Sequence, residues 1–278
     1  MRMLPLVLVL LLPAITHAEA IPWQKLPDAA RLSASQRKSA AEVMARANCY
    51  HGCVGTVAEC LRKTPRAAVA WRLANYVAFL VGKGLRPAEV HEVLELRRLS
   101  ALPPKTFRIP TVGAPRLGPE KARVVVVEYA DFQCAHCAAL SPVLKQVIAG
   151  EKEAALYFKV YPMGAGEPVI AARAALAAHR QGKFWPMQDR LFAAAEGHSQ
   201  ATVERIATEL GLDLTRFRGD MLDAGKAIDL HKIEGLRFGI KGTPALFING
   251  KPYRLRRDAH HLRERIREEL ELLDPPAR

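Results

Sequence analysis

The stretch "RVVVVEYADFQCAHC", residues 123 to 137, constrains this chain more than any other. Four valines in a row, followed by Glu128 and Tyr129, form a continuous β-branched run without polar–apolar alternation. That pattern suits a strand covered on both faces. Six residues after Glu128 comes Cys134, and Cys137 follows at C-x-x-C spacing. A helix starting at the cysteines and running to about Ile148 would make this a strand–turn–helix unit, the building block of a sheet with helices on its faces.

Three readings of such a pair compete: a structural disulfide, half of a zinc site, and a redox-active dithiol. A zinc site needs a second ligand pair, and no other cysteine lies in this half of the chain. A disulfide closing so short a loop stabilises little. A cysteine in the first turn of a helix faces unpaired backbone N–H groups and the positive end of the dipole, which favours thiolate over thiol at Cys134. Cys137, one turn deeper, is placed to resolve a mixed disulfide formed at Cys134. His136 adds partial positive charge or a hydrogen bond. Redox chemistry is the favoured reading.

Periodicity organises the rest. From about Pro27 to Leu102 the pattern is helical: a serine-capped helix in "SASQRKSAAEVMARA", an amphipathic helix in "RAAVAWRLANYVAFLVGKG" ending at Gly82 or Gly84, and a third with Pro87 near its start. "LPPKTFRIPTVGAPRLGP" reads as a linker. Beyond the valine strand, "AALYFKVYPM" reads as a second strand, residues 167–236 as a long helical stretch, and "ALFI" as a strand. Asn249-Gly250 reads as a hairpin turn, "KPYRLR" as its return strand, and "AHHLRERIREELELL" as a closing helix. The expected divisions are a signal segment over 1–20, a helical cysteine-containing domain over 21–104, a linker over 105–118, and an α/β domain over 119–274.

Residues 115–272 resemble the thioredoxin superfamily, and within it the DsbA-like exported thiol-disulfide oxidoreductases. The resemblance rests on "GPEKARVVVVEYADFQCAHC", "QGKFWPMQDRLF", "ATELGLDLTRF" and "GIKGTPALFING", with the long interval between Cys137 and Pro244 matching a large helical insertion. It implies a thioredoxin-like fold with a helical insertion, preceded here by a small all-α domain. It also implies that Cys134 attacks, that Cys137 resolves, and that Pro244 is a cis-proline beside the dithiol. Thr243 would leave its backbone to pair with an extended substrate. Glu128 would be a buried acid beneath the dithiol, relaying a proton when Cys137 attacks. Ala135 stands where strong oxidases of the branch usually have proline, and Thr243 is shared with isomerases and reductases. His136 argues for oxidation; the other two leave the direction of electron flow open.

The remaining cysteines, Cys49, Cys53 and Cys60, form a possible second thiol site in "ANCYHGCVGTVAEC". If residues 53–60 are helical, Cys53 and Cys60 are two turns apart and too far to bridge. Cys49 would then pair with Cys53 across Gly52, or with Cys60 across a helix junction. Residues 40–104 weakly resemble the helical domain of the CcmH-type thiol reductase of cytochrome c maturation, but the C-x3-C spacing departs from that family's pair. A second dithiol and a disulfide staple are both open, and His51 with the three cysteines offers four soft-metal ligands. Met44 and His91 belong to packing or surface.

Residues 1–20 read as a cleavable export signal: Arg2, an apolar core from Leu4 to about Ile15 broken by Pro5 and Pro13, and small residues placing the cut after Ala18 or Ala20. The core is shorter than the roughly 20 residues needed to span a bilayer. The expected location is the periplasm, where disulfides persist. Residues 21–110 carry 15 Lys and Arg against 6 acids, and residues 111–278 carry 25 against 21. Such a surface steers anionic partners: a solvated Arg-rich face is the first reading, an acidic partner or peripheral contact with anionic membrane the second, and nucleic acid is not expected.

The function expected is therefore an exported thiol-disulfide oxidoreductase without cofactor or resident metal. It would act on cysteine-containing client proteins and be reset by an unidentified redox partner. Soft-metal handling by the N-terminal cysteines is the alternative from another class, and a client-holding or dimerising helical module is a third.

Overall fold

The computed structural model describes residues 21–64, 67–194 and 197–274. The export signal expected over 1–20 lies outside them. The described residues divide into two compact units, one reaching Glu95 and including Asp274, the other Leu96–Leu273.

The first unit is helical. Two short 3-10 turns precede α1 (Ala34–Arg46), α2 (Val57–Lys63) and α3 (Ala68–Gly82). Ser33 caps α1, accepting from the Gln36 N–H while the Gln36 side chain accepts from the Ser33 N–H. Thr56 and Glu59 make the same reciprocal pair at α2. Two orphan donors are satisfied at each start. Helix α3 packs on α1 and α2, and Leu73, Tyr76, Val77 and Leu80 of α3 are buried, as are Val43 and Met44 of α1 and Val57 and Leu61 of α2.

The cysteine pairing differs from the expectation here. Cys53 and Cys60 are bonded to each other, with Cα atoms 5.9 Å apart. The assumed helix over 53–60 does not exist: residues 51–55 are a bend, and α2 begins only at Val57. The bend is closed by the bridge between Asn48 and Thr56 and by the Cys49 N–H donating to Gly55 O at 3.0 Å. It folds Cys53 back over the first turns of α2, within disulfide reach. Cys49 is buried outside the disulfide.

Helix α4 (Pro87–Ala101) carries the division between the units. Its last turns belong to the second, because Arg97 and Ser100 are buried against α11 (Ala259–Leu273). There Arg97 Nε donates to Glu268 at 3.0 Å and Arg265 donates to the Ser100 carbonyl at 3.2 Å.

The second unit is a five-stranded sheet ordered β1-β3-β2-β4-β5. The strands are β1 (Arg116–Leu117), β2 (Val124–Ala130), β3 (Ala154–Val160), β4 (Ala245–Ile248) and β5 (Lys251–Pro252). β2 and β3 are parallel, crossed over by α5 (Ala135–Ala149), and β4 runs antiparallel to β2. The valine run is central and nearly fully buried, as its composition requires. The stretch from 167 on resolves into α6 (Glu167–Arg180), α7 (Phe184–Ala193), α8 (Gln200–Glu209), α9 (Leu214–Asp223) and α10 (Gly225–Arg237). Asn249 and Gly250, at φ 48° and 75°, make the hairpin turn. The return strand is shorter than "KPYRLR" suggested: Pro252 has no N–H, and β5 ends there. Two ties hold the Pro/Gly-rich stretch after α4 to the sheet. β1 pairs with β3, and the Phe107 N–H donates to Gly250 O at 2.8 Å.

Candidate active site

The turn from β2 into α5 is built by Asp131. Its side chain accepts from the Gln133 N–H (2.8 Å) and the Met163 N–H (2.7 Å), and its carbonyl accepts from the Cys134 N–H (3.1 Å). An aspartate three residues before a helix cap can hold a turn through its own side chain. That was the available signal for a residue the motif reading passed over.

Cys134 is the N-cap of α5, at φ −83° and ψ 110°. Its sulfur accepts from the Cys137 N–H at 3.3 Å, and its thiol donates to the Thr243 carbonyl at 3.4 Å. Neither sulfur is in a disulfide in this structure. They differ in access: Cys134 is half-buried, whereas Cys137 is fully buried against Ala130, Phe132, Phe158 and the inserted helices. Burial, and then the contact with Cys134, push the Cys137 thiol well above the usual thiol range.

The Thr243-Pro244 bond is cis, and the carbonyl before it is the Thr243 oxygen that lies 3.4 Å from the Cys134 sulfur. His136 is exposed on the first turn of α5, and the bonds to the Cys134 sulfur described above come from backbone groups instead.

Glu128 faces the same side as the dithiol. Along β2, Val124 and Val126 pack with Leu140 and Leu144 of α5, and Ala130 packs with Cys137. By alternation, Glu128 between them points at α5. It is completely buried, and both carboxylate oxygens lack a hydrogen-bond partner among the described residues. Burial raises its pKa to about 8, against the opposing charges of Lys145 and Arg257. A carboxyl in that range holds a proton at neutral pH and can pass it on.

The opposite face of β2 and β3 carries a buried ionic cluster that no sequence motif announced. Lys159, 2% exposed, meets Glu234 of α10 at 2.5 Å, and the Tyr129 hydroxyl donates to the same carboxylate at 3.0 Å. His231, one turn earlier on α10, is held down to about 4 by burial and by Lys159. α10 leads directly into the Thr243-Pro244 loop, so this cluster anchors the segment that meets Cys134. Gly235 lets α10 approach closely: a Cβ there would lie 2.2 Å from the Tyr161 ring.

Cys49, Cys53 and Cys60 lie in the first unit. Among the described residues no group of three or more His, Cys, Asp and Glu is arranged to hold a metal ion, and the disulfide takes two thiolates from the soft-metal set.

The family model described as Thioredoxin matches residues 111–268, more than half of the chain. Among solved structures, a thioredoxin-like oxidoreductase from Silicibacter pomeroyi DSS-3 superposes with a TM-score of 0.54 at 26% identity, covering 58% of this chain and 94% of that one. The thiol-disulfide exchange protein alpha-DsbA2 from Wolbachia pipientis shares the fold, with a TM-score of 0.53 at 21% identity over 64% of this chain and 94% of that one. A curated relative, Na(+)/H(+) antiporter NhaA 3 of Salinispora tropica, is 36% identical over 139 residues, which are 48% of this chain and 21% of the antiporter. The chain thus spans about a fifth of the length of the curated relatives it matches. With the strand, dithiol and cis-proline all inside the matched stretch, the chain belongs to the thioredoxin family.

Proposed function

We propose that this protein is an exported thiol-disulfide oxidoreductase that exchanges disulfides with cysteine-containing proteins through Cys134 and Cys137. The observation that carries the reading is the asymmetry of the pair. One sulfur is reachable and held by the Cys137 N–H at a helix start, while the other is buried with its thiol kept protonated.

The Cys134 thiolate attacks one sulfur of a client disulfide, forming a Cys134–client bond and expelling the other client sulfur as thiolate. Cys137 then loses its proton and attacks the Cys134 sulfur. That attack releases the second client thiolate and leaves the pair oxidised, the client having gained two electrons. Run backward, the same steps oxidise a client dithiol. Glu128 is on the sheet face that packs on α5; with its pKa raised to about 8, its minor deprotonated form takes the proton that Cys137 loses and its protonated form returns one when the Cys137 thiol is regenerated. The Thr243 backbone, next to Cys134, pairs with the extended client. Export rests on the character of residues 1–20, and the partner that resets the pair is a second redox protein. Antiport is not carried over from the curated relatives, because the shared stretch is 21% of that protein.

The test is turnover by the full protein of a model peptide dithiol with oxidised glutathione as acceptor, and of its disulfide with reduced glutathione as donor. Catalysis of either, abolished in Cys134→Ser, supports the reading; no reaction in either direction overturns it.

A further inference from the structure

A groove of about 330 Å³ opens directly beyond Pro244. Its floor is aromatic: the Phe107 ring lies 4.8 Å from Phe238 and 5.8 Å from Phe247. One wall is the segment 103–107, locked where the Phe107 N–H donates to Gly250 O. That approach is so close that a Cβ at Gly250 would sit 1.9 Å from the Phe107 carbonyl oxygen. The rim carries Lys105, Lys241, Arg254 and Arg257, all exposed, and no acidic side chain is among the described residues lining the groove. Lys105 lies 5.0 Å over the Phe107 ring, which leaves its charge unneutralised. Some exposed cations of this unit meet acids, as Arg180 meets Asp220 and Arg218 meets Glu204, whereas the rim brings four cations to one concavity with no acid among its described lining residues.

We infer that this groove selects clients whose cysteine is flanked by acidic residues, seating the flanking segment as an extended chain with its carboxylates on the rim cations. The inference deepens the exchange reading and rests on it for the cysteine. The groove starts at the residue after Thr243, whose carbonyl is 3.4 Å from the Cys134 sulfur, so the residues flanking a client cysteine at that sulfur are within reach of the rim. Concavity favours an extended peptide over a membrane, which presents a flat face of charge. Solvent-exposed pairs contribute a fraction of a kcal/mol each, so several acting together give about tenfold in affinity, weakened by salt.

The experiment measures binding of fluorescent peptides to the full protein. Each has a central serine in place of cysteine, so that no covalent chemistry contributes. One peptide is flanked by aspartates, one by glutamines and one by lysines. The expected order is acidic, neutral, basic, spanning about tenfold or more at low salt and narrowing at high salt. The exposed double variant Lys241→Glu/Arg254→Glu should erase or invert the order, and the same charge change at Arg216 and Lys226, outside the groove, should keep it. Equal binding of the three peptides overturns the inference, as does an acidic preference that survives in the groove variant. Binding to phosphatidylglycerol vesicles through these cations, without peptide preference, overturns it in favour of a lipid surface. Catalysed electron transfer from dithiothreitol to oxidised glutathione, run in parallel, reports on the dithiol alone. Its failure would sink the exchange reading and leave the peptide result to decide the groove.

Discussion

Replacing Glu128 by glutamine should stabilise the protein, by an amount that grows with pH. The side chain is fully buried with neither oxygen bonded, and its pKa is raised to about 8 from 4.5. Below pH 4.5 the folded and unfolded chains both carry the proton, and glutamine gains nothing. Between 4.5 and 8 the unfolded chain has lost it while the folded one keeps it. The folded state then binds more protons, and wild-type stability falls as pH rises. Above 8 the folded carboxylate is charged and unpaired, and the full penalty is present. At about 1.4 kcal/mol per pH unit, the advantage of Glu128→Gln is about 1 kcal/mol at pH 5, about 3 at pH 7 and about 5 at pH 9. Urea unfolding of both proteins at those three values, followed by far-ultraviolet circular dichroism, measures it; other groups titrate in both proteins and cancel. A difference that stays flat with pH, or a glutamine variant that is the less stable at pH 9, would refute the account of Glu128 as a buried acid.

Three further outcomes follow from the geometry. Brief iodoacetamide treatment of the reduced protein near neutral pH should label Cys134 and spare Cys137, whose thiol is buried and held protonated; peptide mass mapping reads it, and equal labelling would contradict the asymmetry. Non-reducing peptide mapping should recover Cys53 joined to Cys60 and Cys49 in neither, and a Cys49–Cys53 fragment would reverse the pairing. Lys159→Met should cost about 3 kcal/mol, because Glu234 loses its cation in a mostly buried setting; a change below about 0.5 kcal/mol in urea unfolding would remove the cluster from the account of α10.

What the sequence revealed follows the range of the interactions involved. β2 and α5 were legible because a four-valine run and a cysteine pair are local patterns, and Asn249-Gly250 marked its hairpin for the same reason. The Cys53–Cys60 bond was misjudged on a local error. Thr56 and Glu59 spell a capping box, which places the start of α2 at Val57 and frees residues 51–55 to bend. The tie between Phe107 and Gly250 could not be read, because it joins segments far apart in the chain and turns part of an expected linker into a groove wall. Lys159 and Glu234 were hidden likewise: each sits in an ordinary strand or helix pattern, and only the packing of α10 on β3 brings them together.

The most direct test of the central claim is to remove the resolving sulfur. Cys137→Ser, incubated with a model protein disulfide, should accumulate a mixed disulfide joined through Cys134, visible as a higher band on a non-reducing gel and mapped by mass. Adding Cys134→Ser should abolish it. If no adduct forms, or if it forms through Cys49, Cys53 or Cys60 instead, Cys134 is not the attacking sulfur and the proposed function fails.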